Sequence, residues 1–246
     1  EEYNYTPNAF ARLNAKQSNV IGVVVPTLNS KITSRVITSI DRYLREKGYT
    51  TLIQNSDHNI DQELQNIQRL IQLNVDGILI SSIAITKDHK ELLKKAGIPV
   101  VVLTQDYEDG ISIIYDDYHA GKAMGEHIGK KGHQKVGYIG VYETDKAVGT
   151  ERRNGVLDGL KEYGITPVIG KSDYSFLGGQ TVARELLEKE PDLDAIICAT
   201  DRLAFGTYKI LHEYKKEIPE EVSVAAFGGY DESALLTPEL TTLKFD

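Results

Sequence analysis

Val20-Ile21-Gly22-Val23-Val24-Val25 runs straight into Pro26, and beyond it the apolar residues change their spacing. Ile32, Val36, Ile37, Ile40, Tyr43 and Leu44 recur at three and four until Gly48. A short β-branched run followed by a helical stripe with a glycine stop reads as one strand and its crossover helix. The cycle then repeats. Thr51-Leu52-Ile53 precedes a stripe of Leu64, Ile67, Leu70 and Ile71; Val75-Asp76-Gly77-Ile78-Leu79-Ile80 precedes a helix through Leu92-Leu93; Pro99-Val100-Val101-Val102-Leu103 follows. These runs are continuously apolar rather than alternating, which predicts a parallel sheet covered on both faces.

Ile111-Ser112-Ile113-Ile114-Tyr115 is a further short strand before a helix over 117–131, and then the rhythm restarts. Lys135 to Ile139, Val168-Ile169, Ala195 to Cys198, Val222 to Phe227 and Thr241 to Asp246 read as strands, with helices carrying Val156, Leu157 and Leu160, then Leu186-Leu187, then Leu203, Phe205, Ile210 and Leu211. Two such series predict an α/β chain of two doubly wound parallel-sheet lobes with a cleft between them. The expected boundaries are a short prefix over 1–19, a first lobe over 20–116 and a second over 117–246. The opening residues carry no initiator Met and the last strand stops without a following helix, so a piece of a longer chain is expected.

The 246 residues include 28 Lys and Arg against 36 Asp and Glu, a formal charge of -8. That balance excludes a uniformly basic nucleic-acid coat, though not a local basic element. A single cysteine, Cys198, excludes a disulfide framework and a cysteine-based zinc cluster, and fits a reducing cytosol. No apolar run approaches a membrane span, and the prefix has no secretory h-region.

Few catalytic patterns survive inspection. Gly170-Lys171-Ser172 resembles the end of a phosphate loop, but Gly164 stands one residue too far upstream and the intervening Ile165 to Ile169 is strand-like. His212-Glu213 would need a second histidine where Lys216 stands. Asp116 and Asp117 are adjacent and point apart, which argues against a catalytic dyad. Neither a metal nor a cofactor site is expected, and no enzymatic activity.

What remains is the set of residues beyond the strand ends, where doubly wound sheets bind ligands. The first lobe offers Ser30 and Gln105 there. The second offers Glu143, Tyr174, Phe176, Thr200, Asp201 and Asp231. Neutral hydrogen-bonding groups, acids and aromatic rings together suit a polyhydroxylated ligand, since carboxylates and amides bond hydroxyls and rings cover C–H faces.

Tyr5-x-Pro7-Asn8-Ala9-x-Ala11-Arg12, followed by the first strand, resembles the hinge helix and core entry of the lac/gal repressor family of bacterial transcription regulators. Val75-Asp76-Gly77-Ile78, Glu151-Arg152-x-x-Gly155, Ala199-x-Asp201-x-x-Ala204-x-Gly206 and Pro238-x-Leu240-Thr241-Thr242 match that family's core in order and spacing. The resemblance implies a type I periplasmic-binding-protein-like fold, a cytoplasmic homodimer, and operator DNA bound through a helix-turn-helix preceding Glu1. It implies that Arg152 donates to effector hydroxyls or carboxylates, that Thr200 and Asp201 occupy the family's Asn-Asp position, and that Tyr174 lies against a sugar ring. The bland alternative for Arg152 is a surface ion pair with Glu151. The dimer is expected to use the helix over 30–47 and the segment over 234–237.

Two departures shape the effector expectation. Leu103-Thr104-Gln105 stands where the family commonly has Ile-Asp-Arg, and Phe227-Gly228-Gly229-Tyr230-Asp231 where it has Gly-Phe-Asp-Asp. The second stretch, with Leu236-Thr237-Pro238, is similar to the sucrose-operon repressors of Gram-positive bacteria. In the hinge, the resemblance implies DNA contact by Pro7, Asn8, Ala11, Arg12 and Leu13, with Leu13 the candidate for insertion at a base step. Residues 1–19 pair Glu1 and Glu2 with Arg12 and Lys16 and carry no net charge, so phosphate contacts are expected mainly from the headpiece. The competing function is a solute-binding protein of a sugar transport system, which shares the fold.

Overall fold

The computed structural model describes residues 17–245. The chain divides at Ile114/Tyr115 into two compact units. The first holds β1 (Val20–Val25), α1 (Lys31–Glu46), β2 (Thr50–Asn55), α2 (Ile60–Gln72), β3 (Gly77–Ser81), α3 (Lys87–Ala96), β4 (Val100–Leu103) and β5 (Ile111–Ile113). The second holds α4 (Asp117–Lys130), β6 (Val136–Val141), a π-helical segment (Lys146–Arg152), α5 (Arg153–Lys161), β7 (Val168–Ser172), α6 (Phe176–Lys189), β8 (Ala195–Cys198), α7 (Asp201–Glu213), β9 (Ser223–Gly228), a 3₁₀ turn (Asp231–Leu235) and β10 (Thr241–Lys244).

Each sheet is five-stranded and wholly parallel. The first runs β2-β1-β3-β4-β5 and the second β10-β9-β8-β6-β7. Renumbered from its own first strand, the second sheet repeats the order of the first. Strand order therefore reverses direction between β1 and β3 in one unit and between β6 and β8 in the other. Those are the positions where crossover helices leave on opposite faces and open a crevice at the strand ends.

The continuous apolar runs are buried as their composition requires. Val23, Val24 and Val25, all six residues of β6 and all four of β8 lie in the cores. Cys198 packs there as a small hydrophobe, and burial pushes its thiol up to about 12. In α1, Ile37 and Ile40 turn to the sheet while Tyr43 stays exposed. The α2 stripe differs from its sequence reading, because its fully buried residues are Glu63, Asn66, Ile67 and Leu70. Glu63 accepts from Ser82 at 2.5 Å and Ser56 at 3.3 Å, and lies 3.0 Å from His89 Nε2. A carboxylate can occupy a core position when such partners satisfy its lone pairs.

Gly155 of the Glu-Arg-x-x-Gly motif is there to let α4 and α5 touch. A Cβ on Gly155 would stand 2.0 Å from the Tyr118 carbonyl oxygen, and one on Gly121 would stand 2.1 Å from the Arg152 carbonyl oxygen. Both obstacles are backbone, which cannot swing aside. Gly155→Ala should therefore cost ~1–3 kcal/mol or more through overpacking. A urea midpoint equal to that of the unsubstituted chain would contradict this close contact.

Candidate functional site

The chain leaves β6 through Tyr142 and Glu143 and enters the π-helical segment, whose first turn Asp145 caps by accepting from the Val148 N–H at 3.0 Å. The segment delivers Arg152, 5% exposed, to the junction of β6 and β8. Its Nε donates to Asp117 Oδ1 at 2.8 Å, its Nη2 donates to the same oxygen, and its Nη1 donates to the Ala199 carbonyl at 2.7 Å. The rings of Phe227 and Phe245 stand 4.9 and 5.0 Å from its Cζ. Arg152 thus ties the start of α4 to the exit of β8, beside the reversal point of the second sheet. The surface pair with Glu151 does not form: Glu151 is exposed, and Arg152 turns inward to Asp117.

Around this arginine the groups are polar and mostly desolvated. Tyr174 donates to Asp145 Oδ2 at 2.6 Å. Burial pushes the Asp145 carboxyl above the usual carboxylate range, against the pull of that hydrogen bond, and holds the Tyr174 phenol well above its ordinary value. Tyr138 is fully buried, and its hydroxyl has no hydrogen-bond partner among the described residues. Glu143 takes Lys171 at 2.5 Å and also pairs with Arg153; the hydrogen bond from Lys171 is the main force lowering its carboxyl to about 2. Gly170-Lys171-Ser172 lies within β7, so it forms no phosphate loop.

The other sequence candidates fall into different surroundings. Thr200 caps α7, accepting from the Leu203 N–H at 3.4 Å, and adjoins Ala199 and hence Arg152. Asp201 corrects its expected role. It is 0% exposed and accepts from the Tyr230 N–H at 2.7 Å, the Ser233 hydroxyl at 2.9 Å and the Thr242 hydroxyl at 2.5 Å. A carboxylate so fully engaged fastens the loop after β9 and β10 itself to the start of α7 rather than presenting oxygens to a ligand. Phe176, 45% exposed, stacks on Phe205 at 6.2 Å with Arg202 4.6 Å over its ring, and Phe205 meets Tyr230 at 6.3 Å. That aromatic run is separate from the Phe227–Arg152–Phe245 stack. Asp231 opens the 3₁₀ turn and is exposed.

In the first unit, Ser30 caps α1 and accepts from the Thr33 N–H at 3.4 Å. Gln105 follows Thr104, a β-branched residue held at φ 70 in the left-handed region. Such a conformation is strained by ~1–3 kcal/mol and belongs to sites where surrounding structure enforces it. Here it turns Gln105 inward to 6% exposure, with its Nε2 lacking a partner among the described residues. Pro7, Asn8, Ala11, Arg12 and Leu13 lie outside the described residues.

Sequence reasoning missed Asp117, Asp145, Phe227 and Phe245. The available signal for Asp117 was a charge argument: a buried guanidinium at a strand end requires a carboxylate, and Asp117 opens the neighbouring helix. No helix among the described residues is long and apolar enough to cross a membrane.

Residues 18–245 match the family model described as periplasmic binding proteins and sugar binding domain of LacI family. The sucrose operon repressor of Staphylococcus xylosus is 30% identical over 246 residues, covering 100% of this chain and 77% of that protein. A LacI family transcriptional regulator from Silicibacter pomeroyi has a TM-score of 0.85 at 25% identity, covering 92% of this chain and 86% of its own. A LacI family regulator from Enterococcus faecium, solved with bound ribose, has a TM-score of 0.81 at 28% identity, covering 92% and 84%. A match over nearly every described residue, on two parallel sheets of the same strand order, means that this chain belongs to the family of periplasmic binding proteins and LacI-type sugar-binding domains.

Proposed function

We propose that the chain is the effector-binding and dimerisation core of a cytoplasmic, sugar-responsive transcription repressor, serving a sucrose or related sugar-utilisation operon. The similarity of this whole chain to about three quarters of two operon repressors supports this over a solute-binding protein of a sugar transport system. The observation that carries the sugar reading is Arg152 at the β6–β8 reversal, because a guanidinium held there by Asp117 and Ala199 keeps further N–H groups to donate to hydroxyls. Thr200 and Tyr174 flank it as hydroxyl and ring contacts. Ser30 follows β1 and Gln105 follows β4 in the first unit, and both are proposed as that unit's sugar contacts; Phe176, Asp201 and Asp231 support the walls.

Operator DNA is bound through a helix-turn-helix headpiece and a hinge containing Pro7, Asn8, Ala11, Arg12 and Leu13. Two copies of α1 and of the exposed Leu235 region form the homodimer, which matches a two-fold operator. The test is a melting-temperature panel of sugars and sugar phosphates, because a ligand of the folded state raises the melting temperature. A rise with at least one sugar is expected; no rise with any sugar at millimolar concentration would overturn the sugar reading.

A further inference from the structure

We infer that Asp117 sets the charge preference of the site, making it select uncharged sugar hydroxyls over a phosphate or carboxylate. This rests on the sugar-effector reading and narrows it to a ligand class. Arg152 would ordinarily attract anions. Here its positive charge is cancelled by a carboxylate that is equally desolvated, each about 5% exposed. The rings of Phe227 and Phe245 stand 4.9 and 5.0 Å from its Cζ, so apolar surface closes off part of the guanidinium and a ligand reaches the remaining edge.

That edge is mixed in character. Of the five N–H bonds of a guanidinium, three are taken by Asp117 Oδ1 and the Ala199 carbonyl. The remaining N–H groups donate, while Asp117 Oδ2, which shares in neither bond from Arg152, accepts. A sugar hydroxyl does both and complements the pair. An ionised phosphate group only accepts: placed there, it meets Oδ2 with like charge and must shed its hydration against a pair of zero net charge.

Neighbouring groups do not restore a positive field. Arg153 and Lys171 share Glu143, which cancels one of their two charges. Asp145 adds a further carboxyl beside Tyr174, and burial raises its protonation point, as expected where water is scarce. The surplus at the ends of β6 and β7 is therefore no invitation to an anion. Asp117 therefore acts in two ways, by neutralising Arg152 and as the acceptor beside it.

The experiment is calorimetric titration of matched pairs: sucrose with sucrose 6-phosphate, fructose with fructose 6-phosphate, ribose with ribose 5-phosphate. Whichever pair binds should favour its neutral member by about tenfold or more in the unsubstituted chain. Asp117→Asn keeps the volume and one acceptor but frees the Arg152 charge, so the neutral-to-phosphate ratio should fall by about tenfold or invert. A purely structural loss would lower both affinities and leave the ratio unchanged, which would overturn the proposal. A phosphate preference in the unsubstituted chain would overturn it without any variant. Binding of neither member of any pair would remove the sugar reading and this preference with it.

Discussion

Arg152→Ala should lower the unfolding free energy by ~3–5 kcal/mol, the cost of leaving a buried carboxylate without its partner. Asp117 is that carboxylate, and at 5% exposure it offers water little room to replace two guanidinium bonds. The Ala199 carbonyl loses its donor as well. For a chain whose total stability is ~5–15 kcal/mol, this is a large share. The double variant Arg152→Ala with Asp117→Ala removes the stranded charge and should recover part of the loss. In calorimetry, sugar affinity should weaken by ~1.5–3 kcal/mol, the range for a hydrogen bond to a charged group. Unchanged affinity in a folded Arg152→Ala variant would remove Arg152 from the effector site, and an unchanged urea midpoint would contradict its burial.

Asp201→Ala should be comparably severe, for a different reason. Three donors from three places in the chain converge on one carboxylate: the Tyr230 N–H after β9, the Ser233 hydroxyl in the 3₁₀ turn and the Thr242 hydroxyl in β10. Each stranded donor costs ~1–3 kcal/mol, and the hydroxyls can turn elsewhere, so a loss of about 3–5 kcal/mol is expected. Asp201→Asn should fall between, because its amide nitrogen would face donors. Local hydrogen exchange should rise first at Tyr230 and Ser233. Equal protection there in Asp201→Ala would refute the fastening role.

The strands were legible because a continuous β-branched run has few other fates in a chain this size. Every such run, from Val20 to Val25 through Thr241 to Lys244, became a strand, and the restart after residue 116 became the second sheet. Ends moved in both directions: Ile111 to Tyr115 became Ile111–Ile113, an edge strand, while Thr51 to Ile53 became Thr50–Asn55. The α2 stripe was misread at Leu64, since periodicity counts apolar residues and cannot see that Ser56, Ser82 and His89 prepare a polar niche for Glu63.

The site was half legible. Arg152, Thr200 and Tyr174 stand out as candidates in the sequence because strand-end position and motif spacing are local properties. Asp117 lies 35 residues from the arginine it holds, and only the α4–α5 crossing at Gly121 and Gly155 joins them. For Asp201 the sequence pattern marks a helix start, while the partners its carboxylate holds stand 29 to 41 residues downstream. The π-helical segment was not foreseen either, since its wide turn has no periodicity of its own.

The central claim is that sugar and operator are linked through this core, and the direct measurement is operator affinity of the full-length protein with and without saturating sugar. Linkage predicts a change of about 5–150-fold, a coupling of ~1–3 kcal/mol, and the same factor when sugar affinity is measured with and without operator. An operator affinity identical in both conditions, in a protein whose sugar binding is established, would leave a sugar-binding protein and contradict a sugar-controlled repressor.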